Sequence, residues 1–122
     1  MAKKILVVDD DAMNLRMAEF ILTKQGYEVK KADSGRECLT ILQDEPMDLL
    51  LLDVEMPEMN GMQTLRKLRQ DNIQPQLPVM FLSASMDEET VAYAEKLGCV
   101  DFIKKPFLPP DLLERVAKTL EG

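Results

Sequence analysis

The sequence predicts an α/β fold, a doubly wound sheet of five parallel strands in the order 2-1-3-4-5 with five helices around it. Three observations carry that expectation. Two runs, Ile5-Leu6-Val7-Val8 and Leu49-Leu50-Leu51-Leu52, are apolar at every position, and a strand reads this way when both faces of its sheet are covered. Strand-like and helix-like segments alternate along the whole chain with no repeat or linker, which calls for right-handed crossovers onto both faces of a parallel sheet. Both apolar runs lead into carboxylates, at Asp9-Asp10-Asp11 and at Asp53. In open α/β sheets, ligands bind outside the carboxyl ends of the strands, at the point where the strand order reverses.

Each element has its own signal. The first strand is Ile5 to Val8. From about Ala12 to Gln25, Leu15, Ala18 and Leu22, with Met17 and Ile21, recur at helical spacing. Asp11 is the natural N-cap of this helix and Gly26 its C′ residue. Glu28 to Ala32 is short and half polar, as an edge strand is. Asp33-Ser34-Gly35 caps a second helix that turns Cys38, Ile41 and Leu42 inward, and Pro46 closes this unit before the leucine strand. After Gly61, the positions Met62, Leu65 and Leu68 mark a third helix, with Arg66, Lys67 and Arg69 on its wet side. A polar loop from Gln70 to Gln76 leads to a fourth strand, Pro78 to Leu82, which delivers Ser83-Ala84-Ser85 to its carboxyl end. The fourth helix runs from about Asp87 to Leu97 and stops at Gly98. Val100 to Lys104 is the fifth strand and ends at Lys105-Pro106-Phe107. Pro109-Pro110-Asp111 opens a last helix built on Leu112, Val116 and Leu120.

Residues 1–122 are expected to form one domain with a single core, without a separate output domain. A formal charge of −7 and the lack of a long Lys/Arg cluster argue against nucleic acid as a direct ligand. No apolar run approaches the roughly 18 residues that span a bilayer. Lys3-Lys4 leads directly into a strand, so a cytoplasmic protein is expected rather than a secreted or membrane one. Cys38 and Cys99 fall inside elements, away from metal-ligand spacing, and read as buried thiols. The chain contains no histidine. That removes Ser-His-Asp and Cys-His catalysis and the usual zinc sites, and it leaves any phosphohistidine to another protein.

In the 2-1-3-4-5 order the ends of strands one and three are neighbours, so Asp9, Asp10 and Asp53 share one crevice. Carboxylates a few Å apart repel by about 4 kcal/mol per pair at an effective dielectric near 20, and they stay ionised together when a cation sits among them. An all-oxygen cluster without His or Cys favours a hard cation such as Mg²⁺, which keeps several waters for a phosphoryl oxygen. Lys105, from the end of strand five, adds positive charge suited to a phosphoryl group arriving at Asp53. The Ser83 hydroxyl, from the strand between, can donate to another phosphoryl oxygen. Taken singly, Asp11 is a helix cap, Lys105 a loop lysine and Ser83 a strand terminus. Their joint placement at the ends of adjoining strands favours one site.

These residues resemble the receiver domain of bacterial two-component response regulators, with a flavodoxin-like fold, over essentially the whole chain. The resemblance is carried, in order, by Val7-Val8-Asp9-Asp10, by Leu51-Leu52-Asp53-Val54-Glu55-Met56-Pro57-Glu58-Met59-Asn60-Gly61, by Ser83-Ala84 and by Lys105-Pro106-Phe107. It implies that Asp53 is the phospho-acceptor. It further implies Asp10 as a direct Mg²⁺ (or Mn²⁺) ligand, Asp9 as an acid acting on the metal through water, and Glu55 as the donor of a backbone carbonyl to the metal. Ser83 and Lys105 would hold phosphoryl oxygens, and the Lys105-Pro106 bond would be cis. The resemblance also implies a switch in which Ser83 moves toward the phosphoryl group and the ring of Phe102 turns inward. Phe102 lacks the hydroxyl of the tyrosine often found there. Asn60 replaces an Asp that many receivers carry before the glycine, which alters loop charge and leaves the chemistry alone.

By the same resemblance the partner is a histidine kinase or histidine phosphotransfer protein, met by helix one near Asn14 and Met17. The face of helix four, strand five and helix five, from Met86 to Lys96 with Lys104 and the last helix, would carry output or a phosphorylation-dependent homodimer. Glu55 and Ser85 would tune the lifetime of the aspartyl phosphate, Glu55 through the attacking water. The chain would assist its own phosphorylation without being a turnover enzyme. Three other readings compete. A haloacid-dehalogenase-type phosphatase normally has its nucleophile strand first and a cap segment. A flavin carrier of this topology wants Ser, Thr and Gly where this chain has aspartates. A phosphorylation-inert adaptor would have no need of the complete site set.

Overall fold

The apolar runs form the middle of a parallel sheet, and a helix follows every strand. The computed structural model describes residues 2–85 and 87–121. It contains β1 (Lys4–Val8), α1 (Ala12–Thr23), β2 (Glu28–Ala32), α2 (Gly35–Asp44), β3 (Leu49–Asp53), α3 (Gly61–Gln70), β4 (Val79–Ser83), α4 (Glu88–Lys96), β5 (Cys99–Lys104) and α5 (Pro109–Glu121). The strands lie in the expected order, β2-β1-β3-β4-β5, and every pairing is parallel. No helix among the described residues is long and apolar enough to cross a membrane.

Alternation along the strands sorts the core into two layers. Leu6, Val8, Leu50, Leu52, Val79 and Phe81 pack with Cys38 and Leu42 of α2, Leu65 and Leu68 of α3 and Ala94 of α4. Ile5, Val7, Leu49, Leu51, Met80, Leu82 and Ile103 pack with α1 and α5 on the other face. The four leucines of β3 therefore serve both layers and are wholly buried, which is why the run shows no polar alternation.

Boundaries shift where backbone hydrogen bonding overrides side-chain pattern. α1 ends at Thr23 rather than near Gln25, and the chain closes with Gly26 N–H on Thr23 O and Tyr27 N–H on Leu22 O. That double closure places Gly26, at φ 94°, in the C′ position expected for it. β4 starts at Val79 and extends through Ser83, one residue later than the apolar run, because Ser83 still pairs with Lys104 and its carbonyl accepts from Lys105 N–H at 2.9 Å. β5 likewise begins at Cys99 instead of Val100.

At the amino ends of the strands, Lys4 N–H donates to Asp48 Oδ2 at 2.7 Å, and Asp48 N–H returns a bond to Lys4 O. Gln74, from the loop after α3, donates to Leu42 O and Glu45 O at 2.6 and 2.8 Å and accepts from Met47 N–H at 3.1 Å. It thereby closes the orphan carbonyls at the end of α2. α4 is held differently: Ala94 is its one fully buried residue. Arg69 of α3 donates to Leu97 O at 2.8 Å, and Arg66 to the Tyr93 hydroxyl at 3.3 Å.

Candidate functional site

Asp53 is the last residue of β3 and is completely buried. Its strand neighbours bring the other groups: Val8 of β1 pairs with Leu52, and Leu82 of β4 pairs with Asp53. Asp9 follows β1 and is anchored by its N–H on Ala32 O at 3.1 Å, so this second carboxylate is also fully buried. Asp10, the next residue, is exposed. Asp9, Asp10 and Asp53 offer carboxylate oxygens that all lie within 4.8 Å of one another.

Lys105 closes the crevice from the end of β5, just before a cis Lys105-Pro106 bond, the isomer that the resemblance implies. Its ammonium lies 2.8 Å from Asp53 Oδ1 and 3.0 Å from Asp9 Oδ2. Asp53 Oδ1 also accepts from Glu55 N–H at 3.1 Å. Asp53 Oδ2 is buried without a hydrogen-bond partner among the described residues. Buried polar atoms are nearly always satisfied, so this oxygen calls for a water, a cation or another donor.

Burial pushes the Asp53 carboxyl up to about 7; the hydrogen bond from Lys105 pulls it down and the Asp9 charge pushes it up. Burial alone would lower the Lys105 ammonium, but the bonds and charges of Asp53 and Asp9 outweigh it and hold the lysine above its ordinary value. Three carboxylates against one ammonium leave the crevice short of positive charge. An all-oxygen donor set with one uncommitted oxygen and no histidine or thiolate nearby fits a hard divalent cation.

The loop from Val54 to Asn60 is pinned at both ends. Val54 N–H bonds to Leu82 O, and Val54 O accepts from Gly61 N–H at 3.0 Å. A Cβ on Gly61 would run into the Asp53 carbonyl oxygen and lie 2.9 Å from Val54 Cα. Glycine is thus the residue that lets α3 start against the end of β3. Asn60 caps α3 through Gln63 N–H, and the Gln63 side chain returns a bond to Asn60 N–H. The Asn60 departure therefore keeps the capping chemistry that an Asp would supply.

Ser83 is buried at the end of β4, and its hydroxyl is turned to Glu55 Oε2 and to Ser85 O, each at 2.6 Å. The Glu55 side chain also accepts from Ala84 N–H at 3.3 Å. The sequence brought Glu55 to the site by its backbone carbonyl, with its side chain near the attacking water, and gave no sign of this contact with Ser83. Asn14, expected on the partner-facing part of helix one, is half buried, and its Nδ2 donates to Asp9 Oδ2 at 3.2 Å, one turn after the Asp11 cap. Met17 does lie outside, with Met13 and Phe20, as exposed apolar residues on α1.

Phe102 is half buried, its ring 6.0 Å from that of Phe81 and tilted by 41°. At the same β5 edge of the sheet Arg115 bridges Asp101 and Asp111 at 2.7 and 2.9 Å, while Tyr93 and Val100 are exposed. Of the segment Met86 to Lys96 singled out from sequence, Met86 lies outside the described residues.

The sequence model of the response regulator receiver domain matches residues 5–117. The chain belongs to this family. Among curated relatives, the receiver is 37% identical to the chemotaxis protein CheY of Thermotoga maritima over 119 residues, 97% of this chain and 98% of that protein. It is 35% identical to the alkaline phosphatase synthesis transcriptional regulatory protein PhoP of Bacillus subtilis over 98% of this chain and 49% of that one. The chain thus spans about half the length of the regulator relatives of the latter kind. Among solved structures, the receiver superimposes on chemotaxis protein CheY4 of Vibrio cholerae with a TM-score of 0.93 at 30% identity, covering 98% of this chain and all of that one. A CheY-like response regulator receiver domain protein of Methanospirillum hungatei gives 0.92 at 31% identity, over 99% and 95% of the two chains. The function of the chain is that of a two-component receiver, and nothing in these comparisons favours a dehalogenase-type phosphatase or an inert adaptor.

Proposed function

We propose that Asp53 is the phospho-acceptor of this receiver, and that the group arrives from a phosphohistidine of a histidine kinase or histidine phosphotransfer protein. The observation that supports this is Asp53 Oδ2, a buried carboxylate oxygen beside a lysine and without a hydrogen-bond partner among the described residues. Oδ2 attacks phosphorus, an O–P bond forms, and the N–P bond of the donor breaks. The imidazole nitrogen leaves with the electron pair, a proton on the other ring nitrogen of the donor histidine makes it neutral, and the phosphoryl charge remains on Asp53. Lys105, already 2.8 Å from Oδ1, is placed to follow a phosphoryl oxygen. The Ser83 hydroxyl supplies a second donor.

Asp10, Asp53 and the Glu55 carbonyl would hold Mg²⁺ or Mn²⁺, with Asp9 acting through water and kept in place by Asp11 N–H and Asn14. When bound, the cation neutralises charge on the phosphoryl oxygens. Asp9 then keeps the Lys105 ammonium within reach of the transfer.

In this reading residues 1–122 act as one cytoplasmic receiver unit, with no turnover of phosphate monoesters. Ser83 and Phe102 make the switch. The exposed Met13, Met17 and Phe20 of α1 meet the phosphodonor, and the face of α4, β5 and α5 carries output or a phosphorylation-dependent homodimer. Intact mass after incubation with Mg²⁺ and acetyl phosphate tests the core of it. Wild type should gain one phosphoryl group and Asp53→Ala none; no gain in wild type, or equal gain in both, refutes the assignment.

A further inference from the structure

One contact beside Asp53 joins two loops and has no part in binding or transfer as proposed above. Glu55 follows β3, and both of its carboxylate oxygens are engaged, Oε2 by the Ser83 hydroxyl at 2.6 Å and Oε1 by Ala84 N–H at 3.3 Å. The Ser83 hydroxyl is equally close to Ser85 O. A hydroxyl carries one proton and donates to one acceptor at a time. The carboxylate is the stronger claimant, because a bond to a charged oxygen is charge-assisted. Meanwhile Asp53 Oδ2, at the end of the adjoining strand, is buried with no partner among the described residues. A free acceptor and a hydroxyl donor thus end neighbouring strands, and the donor is turned to Glu55.

We infer that the Glu55 carboxylate is a latch on Ser83: it holds the hydroxyl and the start of the loop after β4 off the phosphoryl site, and a phosphoryl group at Asp53 engages Ser83 only by displacing Glu55. This rests on the reading of Asp53 as phospho-acceptor and adds its regulation. Glu55 is in this role a positioning residue that sets the resting bias of the switch. Two other effects of the same carboxylate, repulsion of an incoming anion and activation of a water, act without Ser83. The latch acts only through it.

A double-mutant cycle on the whole chain separates them, using beryllofluoride with Mg²⁺ as a phosphoryl mimic. Glu55→Ala should tighten beryllofluoride binding about tenfold. Glu55→Gln, which keeps one acceptor oxygen, should fall between. With Ser83→Ala in place, Glu55→Ala should change binding by less than about twofold. No tightening in the first background, or the same tightening in both, overturns the latch. Metal-free protein gives an independent readout: amide hydrogen exchange at Ala84 should quicken about tenfold in Glu55→Ala, and unchanged exchange also overturns it. Wild type that neither binds beryllofluoride nor gains phosphoryl mass sinks the reading of Asp53 instead, and the metal-free exchange still judges the latch. Glu55 is exposed, so its replacement leaves the core intact.

Discussion

The two ends of one sheet are built on opposite terms. At the amino ends of the strands, the polar groups are cross-satisfied: Lys4 and Asp48 exchange backbone and side-chain bonds, and Gln74 makes three at once. At the carboxyl ends, two carboxylates are wholly buried with one lysine between them, and an oxygen of Asp53 has no partner among the described residues. The first end holds the fold together. The second crowds buried charge, which costs stability, a pattern expected where a fold must bind charge.

This contrast can be broken most sharply at Gln74. Gln74→Ala leaves the Leu42 and Glu45 carbonyls and the Met47 N–H to water, and should destabilise the domain by about 2 kcal/mol in urea unfolding. A change below about 0.5 kcal/mol would mean that the amino end is no firmer than an ordinary loop.

The opposite sign is expected at Asp53. The folded protein holds the Asp53 proton up to about pH 7, whereas unfolded chain releases it near 3.8. The folded state therefore binds more protons between those values, and stability from this group is complete below about pH 4 and lost as pH rises through 7. Asp53→Asn, neutral at every pH, should be more stable than wild type above pH 7 in metal-free buffer and indistinguishable below about pH 4. The amide forfeits the ion pair with Lys105, so the net gain should be about 1 kcal/mol. Thermal unfolding across pH, with and without a chelator, measures it. A variant less stable at pH 8 would show that the carboxyl end is not a stability sink.

The smallest effect sharpens the distinction between charge pairs at the two ends. Lys30 and Glu45 are paired at 3.1 Å near the amino ends of the strands, but both are open to water. Lys30→Met should alter stability by less than about 0.5 kcal/mol. A larger loss would place real electrostatic stabilisation at that end.

How much of this was legible in the chain follows from where the signals are local. A strand covered on both faces must be apolar throughout, so Leu49 to Leu52 announced a central strand, and the first polar residue after it had to emerge at the carboxyl end. Asp9, Asp53 and Lys105 were readable because the parallel order brings those ends together, and the structure joins all three by ion pairs. The bond from Asn14 to Asp9 was not readable, because helical spacing fixes a residue's angle around its own axis and not what that angle faces. Gln74 looked like one more polar loop residue, since its backbone sits at φ 42° and its partners are about 30 residues away. The Glu55–Ser83 contact depends on two loop conformations at once, one of them through Glu58 at φ 65°, and no periodicity encodes that.

The leucine strand also decides how the molecule can deform. Leu50 and Leu52 are set into one apolar layer and Leu49 and Leu51 into the other. A slip by one residue would exchange the two sets, and close-packed layers resist even fractions of that. Asp53 is therefore mounted on a strand whose register both layers hold, and β3 does not readily absorb a load applied at its end. Compliance is confined to the rim, where Glu55, Ala84 and Ser85 lie exposed on loops. A rigid anvil beneath a soft rim directs whatever happens at Asp53 outward, toward the surface.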